Sequence, residues 1–131
     1  MKIKTIRFKN INSLKNAQEV DFTSSPLREA GLFAITGPTG SGKSTLLDVI
    51  SLALFNRVPR FEGKSMSAGF IQKTGSILTR NTREGYAEVV YECHQGTFRS
   101  SWSISVNRNG NLRDYEMELS DHQTGQILDF K

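Results

Sequence analysis

Residues 37 to 45 read Gly-Pro-Thr-Gly-Ser-Gly-Lys-Ser-Thr, and Gly37-x4-Gly42-Lys43-Ser44 is the P-loop spacing with which a chain wraps a polyphosphate. A nucleoside triphosphate presents several charged oxygens, so backbone N–H groups must close around it. Gly37, Gly40 and Gly42 permit the close approach and the unusual dihedrals this needs, with Pro38, Thr39 and Ser41 making up the rest of the loop. A helix opening near Lys43 adds the positive end of its dipole. Lys43 is expected to reach the β- and γ-phosphates as a point charge and to serve catalysis. The Ser44 hydroxyl is expected to ligate Mg²⁺, and Thr45 to donate to a phosphate, so the cofactors expected are ATP and Mg²⁺. A glycine-rich turn with an incidental lysine is the bland alternative, and the setting between an apolar strand and an apolar helix argues against it.

Those flanking elements are legible. Gly31-Leu32-Phe33-Ala34-Ile35-Thr36 is a short apolar run expected to be a buried strand, and residues 43 to 55 are apolar on most sides, as in a buried helix. Ahead of them, Ile3, Ile6 and Phe8 lie between charges in an early strand over 2–9, with a second strand through Val20 to Phe22. Residues 57 to 83 lack steady periodicity and predict a long connection with at most one short helix. From Gly85 the pattern is of strands, Tyr86 to Tyr91, Thr97 to Val106 and Tyr115 to Leu119, whose glycine-containing turns favour antiparallel pairing. Tyr86, Tyr91, Phe98 and Trp102 are expected to cover one face by packing. The predicted organisation is a single domain over 1–131, with a P-loop core at 1–56, an irregular connection at 57–84 and a β-rich part at 85–131.

Composition sets bounds. A chain of 131 residues with 37% hydrophobic content suits one modest core, and no apolar run approaches the roughly 18 residues of a membrane span. Cys93 is the only cysteine, which rules out an intrachain disulfide and fits a reducing cytoplasm; His94 and His122 stand apart from any metal-ligating cluster. The net charge of +4 is unevenly spread: residues 57 to 113 hold nine Lys or Arg against four Glu. A basic half suits a polyanionic partner and equally suits simple solubility.

Hydrolysis also needs a carboxylate near the metal and a group that orients water, usually at the end of another apolar strand. Ala87-Glu88-Val89-Val90-Tyr91-Glu92 ends in a carboxylate, but its alternation suits a hairpin better than a buried parallel strand. Leu119-Ser120-Asp121-His122-Gln123 lacks the paired glycines of an ABC-type signature. The loop therefore predicts binding more firmly than turnover.

With these residues placed, nearly the whole chain resembles the N-terminal end of an SbcC-type DNA-repair ATPase, of the SMC-like branch of ABC ATPases. The likeness rests on Ile-Arg-Phe-Lys-Asn-Ile-Asn-Ser at 6–13, Val-Asp-Phe at 20–22, the P-loop, Leu47-Asp48-Val49-Ile50 with Ala53-Leu54-Phe55, Pro59-Arg60, and Ala87-Glu88-Val89 before Phe98-Arg99. The resemblance implies an α/β fold: the N-terminal part of a P-loop NTPase of the ABC ATPase head type, with an antiparallel β subsheet. It implies that Walker B and the signature lie in a distant C-terminal piece, and that two heads, as a homodimer, sandwich two ATP molecules. It implies an SbcD-type nuclease subunit and double-stranded DNA as partners, and a bacterial, cytoplasmic, DNA-associated location without membrane. It also brings Lys9 and Asn10 near the nucleotide, while Gln126 makes a poor Q-loop glutamine because the apolar helix pattern is missing there.

Rival readings are a small P-loop kinase, which would need a helical lid with arginines, a fragment of a transporter ATPase, and a nucleic-acid module in which Arg99, Arg108 or Arg113 contact phosphates.

Overall fold

A computed structural model describes residues 1–24, 43–61 and 64–130. The expected strand at 31–36 lies outside them. Among the described residues six strands, β1 (Lys2–Ile11), β2 (Leu14–Asp21), β3 (Glu84–Cys93), β4 (Gly96–Ser105), β5 (Glu116–Asp121) and β6 (Ile127–Phe130), form one antiparallel sheet in the order β2-β1-β3-β4-β5-β6. Helix α1 (Lys43–Phe55) packs on β1, β3 and β4; a 3-10 turn (Pro59–Phe61) and a short helix α2 (Ala68–Thr74) fill the connection. The α/β class with an antiparallel sheet is as read from the sequence. The first strand pairs directly with β3, so one sheet draws on both ends of the chain.

Alternation decides the two faces. Ile6 and Phe8 of β1 lie opposite Val89 and Ala87 of β3, and Ala87 lies opposite Trp102 of β4; all five are buried in the core. Arg7 and Glu88 pair on the other face. Tyr91, Phe98 and Trp102 share the core face with Ala87 and Val89, but Tyr86 pairs with Ser103 across the sheet, so the expected single aromatic face loses one member to strand parity.

The sequence runs Ile11-Asn12-Ser13-Leu14 between β1 and β2, a hairpin joined by two residues, so the second strand begins earlier than Val20. Asn10, Asn12 and Asn16 all have positive φ, at 55°, 54° and 75°, in the left-handed region that Asn tolerates better than most residues.

Helix α1 turns one stripe to the sheet: Thr45, Asp48, Val49, Leu52, Ala53 and the following Asn56 recur at helical spacing and are all buried. The stripe is apolar in the middle and polar at both ends. Leu47 and Phe55, by contrast, are 58% and 66% exposed, so the helix is not buried all round as its composition suggested. Asn56 ends it at φ 56°, with its N–H donating to Leu52 O at 3.0 Å, and the indole of Trp102 donates to Asn56 Oδ1 at 2.7 Å. Helix α2 is capped by Ser67, whose hydroxyl accepts from Phe70 N, and closed by Gly75 at φ 64°.

Candidate functional site

Gly37, Pro38, Thr39, Gly40, Ser41 and Gly42 lie outside the described residues, as does the Lys43 side chain. What the structure describes is the foundation on which they stand. Ser44 is exposed and Thr45 is buried in the first turn of α1, a turn with no acidic residue to compensate the positive end of the helix.

Asn12, in the β1–β2 turn, reaches this first turn. Its amide Nδ2 donates to Thr45 Oγ1 at 3.1 Å and to Asp48 Oδ2 at 2.9 Å, while its Oδ1 accepts from an Arg60 guanidinium N–H at 3.0 Å. Arg60 also stands 3.9 Å from the buried Asp48 carboxylate and lies over the Phe61 ring, 5.1 Å from its centroid. The Asp48 charge is thus tolerated inside the fold because a guanidinium and an amide face it. The chain on the far side is tied to the same residue. Asn12 N donates to Ile77 O at 2.6 Å, and Thr79 Oγ1 donates to Asn12 O at 2.8 Å. Ile77 is held at φ 72°, a strained value for a β-branched side chain. A cavity of about 480 Å³ opens here, lined by Asn12, Ser13, Arg60, Ser76, Thr79 and Arg80 among others.

The donor set at the start of α1 fits a phosphate with a hard cation. It offers an uncompensated helix N-terminus, the exposed Ser44 hydroxyl as an oxygen ligand, and a Thr45 hydroxyl already oriented by Asn12.

Lys9 and Asn10 lie at the end of β1, beside the start of β3. Lys9 Nζ meets Glu84 Oε1 at 2.7 Å; that hydrogen bond, with the opposed charge, raises the lysine pKa above its ordinary value and lowers that of Glu84. Asn10 donates through Nδ2 to Glu84 O at 2.8 Å and accepts through Oδ1 from Asn16 N at 2.7 Å, so its side chain holds the strand ends together. Asn12, Asp48 and Arg60, which do meet the helix start, carried no role in the sequence reading. The available signal was a polar Asp48 in an otherwise apolar helix and two asparagines flanking one buried isoleucine.

On the opposite face of the sheet a larger groove of about 540 Å³ includes Arg7, Glu88, Arg99 and His122 in its lining. Glu88 lies 3.9 Å from Arg7 and 3.7 Å from Arg99, and Arg99 also meets Glu118 at 3.7 Å, so charge there is largely compensated. Glu92 stands 3.3 Å from Lys4 in the same antiparallel sheet, and Asp121 caps the Gln123 and Thr124 N–H groups of its turn.

A family model described as an AAA domain matches residues 5–129. The chain belongs to that family. Among relatives of this AAA domain, the SbcC component of the SbcCD nuclease from Pseudomonas aeruginosa is 43% identical over 140 residues, covering 98% of the chain and 12% of that protein. The protein of the same name from Rhodobacter capsulatus is 36% identical over 141 residues, covering 98% of the chain and 11% of that protein. "Probable DNA double-strand break repair Rad50 ATPase" of Aquifex aeolicus is 36% identical over 70 residues, 53% of the chain and 6% of that protein. The SbcC-type resemblance is borne out. The AAA domain spans about an eighth or less of the length of these relatives. No helix among its described residues is long and apolar enough to cross a membrane.

Proposed function

We propose that this AAA domain is the ATP-binding half of the head of a DNA double-strand-break repair ATPase, working with an SbcD-type nuclease subunit on double-stranded DNA in the cytoplasm. Gly37 through Thr45 hold the triphosphate. The loop N–H groups and Lys43 bind its charge, Thr45 donates to a phosphate oxygen, and Ser44 supplies a metal ligand. When bound, Mg²⁺ would neutralise charge that develops on the phosphates during transfer.

The observation that carries this reading is the start of α1, where Thr45 is oriented from outside the helix and the first turn holds no acidic residue. The names of the relatives support the repair context. The exposed Leu47 and Phe55 of α1 suit a partner element, which we assign to the C-terminal half of the same head, the source of the Walker B carboxylate and signature. A second copy of the head would complete each site across a homodimer. The chain alone then binds ATP but turns it over poorly.

Titration of the chain with ATP and Mg²⁺ tests the reading. Wild type should bind, and Lys43→Ala should abolish measurable binding with the far-UV spectrum and Tm unchanged. Undiminished affinity in Lys43→Ala would sink the assignment.

A further inference from the structure

We propose that Asn12 is the positioning residue of the phosphate site, setting the Thr45 hydroxyl from the β1–β2 turn; the inference rests on the ATP-binding reading above. Three features of the amide argue for this role. Its orientation is dictated by its neighbours. Arg60 has only donors and must face Oδ1 (3.0 Å), and the Asp48 carboxylate is an acceptor and must face Nδ2 (2.9 Å). With the amide so fixed, the second Nδ2–H is delivered to Thr45 Oγ1 at 3.1 Å, which takes up acceptor capacity on that oxygen and turns its own proton away from Asn12. The backbone under the amide is equally constrained: φ is 54°, the N–H is bonded to Ile77 O, and the carbonyl is bonded to Thr79 Oγ1.

The result is a rigid support. One side chain spans residues 45 and 48, one helical turn apart, and fixes that turn against a hairpin whose other strand face lies in the core. Phosphate binding depends on sub-ångström placement of its donors, and donors locked by a second layer of hydrogen bonds lose less freedom when the ligand arrives. Asparagine suits the position twice over, since it tolerates the left-handed backbone and carries two N–H bonds on one atom. Arg60 and Asp48 serve the amide, and the amide serves Thr45.

The test is a double-mutant cycle read by ATP affinity, made on the 131-residue chain at a temperature well below its unfolding transition. Asn12→Gly keeps the left-handed backbone and removes the amide; ATP affinity should fall about tenfold, the scale of one charge-assisted hydrogen bond mis-set. Thr45→Val should cost a similar factor, and the double variant should lose no more than the larger single loss, because both act through one hydroxyl. The Asn12→Gly loss should persist in EDTA, since Thr45 is not the metal ligand, whereas the loss in Ser44→Ala should shrink there. If Asn12→Gly unfolds, Asn12→Ala removes the amide without adding charge, and the same loss is expected. Affinity within twofold of wild type, or losses that multiply in the double variant, would overturn the proposal while leaving ATP binding intact. Failure of wild type to bind ATP would overturn both.

Discussion

The Trp102 indole N–H donates to Asn56 Oδ1 at 2.7 Å between two buried side chains, so the end of α1 is pinned to strand β4 by a bond that water cannot replace. Removing the donor strands an acceptor in the core. Trp102→Phe should therefore destabilise the fold by about 2 kcal/mol or more, from the unpaired carbonyl and the lost ring volume together. Urea unfolding followed by circular dichroism measures it. Asn56→Gly, which keeps the left-handed backbone, should cost little further in the Trp102→Phe background, because the shared bond is already gone.

Gly85 lies where strands β1 and β3 meet. A Cβ at this position would stand 2.9 Å from Lys9 O and 3.0 Å from Leu78 Cδ1. The carbonyl belongs to the backbone and cannot yield cheaply. Gly85→Ala should lower stability by about 1–3 kcal/mol, and a thermal melt that matches wild type would contradict the packing described.

Lys9 and Glu84 lock the same end of the sheet from outside. The hydrogen bond from Lys9 holds the Glu84 carboxyl below its ordinary 4.5, so the pair's contribution is present above pH 4.5 and fades as pH falls through the lower folded value. On the basic side Lys9, raised above 10.5, keeps its contribution below that pH and loses it as pH climbs through the raised value. The pair is solvent-exposed, so salt should weaken it. Carboxyl titration by NMR should place the Glu84 midpoint below 4.5, and Lys9→Met should return it towards 4.5.

Arg108 and Arg113 are exposed at the β4–β5 connection, whereas Arg99 is engaged by Glu88 and Glu118. If the basic half touches duplex DNA, the contact should therefore run through the first two. Replacing both by Ala should weaken binding to duplexes of any sequence and flatten the plot of log affinity against log salt by about two phosphate contacts, whereas Arg99→Ala should leave the slope nearly unchanged. An electrophoretic or anisotropy titration at several salt concentrations separates these outcomes.

Local spacing was enough to determine a good part of this protein. The helix over 43–55 and the antiparallel strands after Gly85 were legible, because each depends on residues a few positions apart. Strand β6 was not, since Ile127 to Phe130 is a short exposed edge without alternation between buried and open positions. The parity of Tyr86 also escaped, because which face a side chain takes depends on register, and register is set by the partner strand.

What only the tertiary structure decided is the company kept by the helix start. Asn12 lies 33 residues from Thr45 and 48 from Arg60, and no periodicity links them. The early strand delivers them to one point by pairing with β3, across more than seventy residues of chain, and so carries the β1–β2 turn to the foot of α1. Sequence spacing names the atoms suited to hold a phosphate. Long-range strand pairing decides which side chains hold those atoms still, because a hydrogen bond is satisfied by proximity in space and takes no account of distance along the chain.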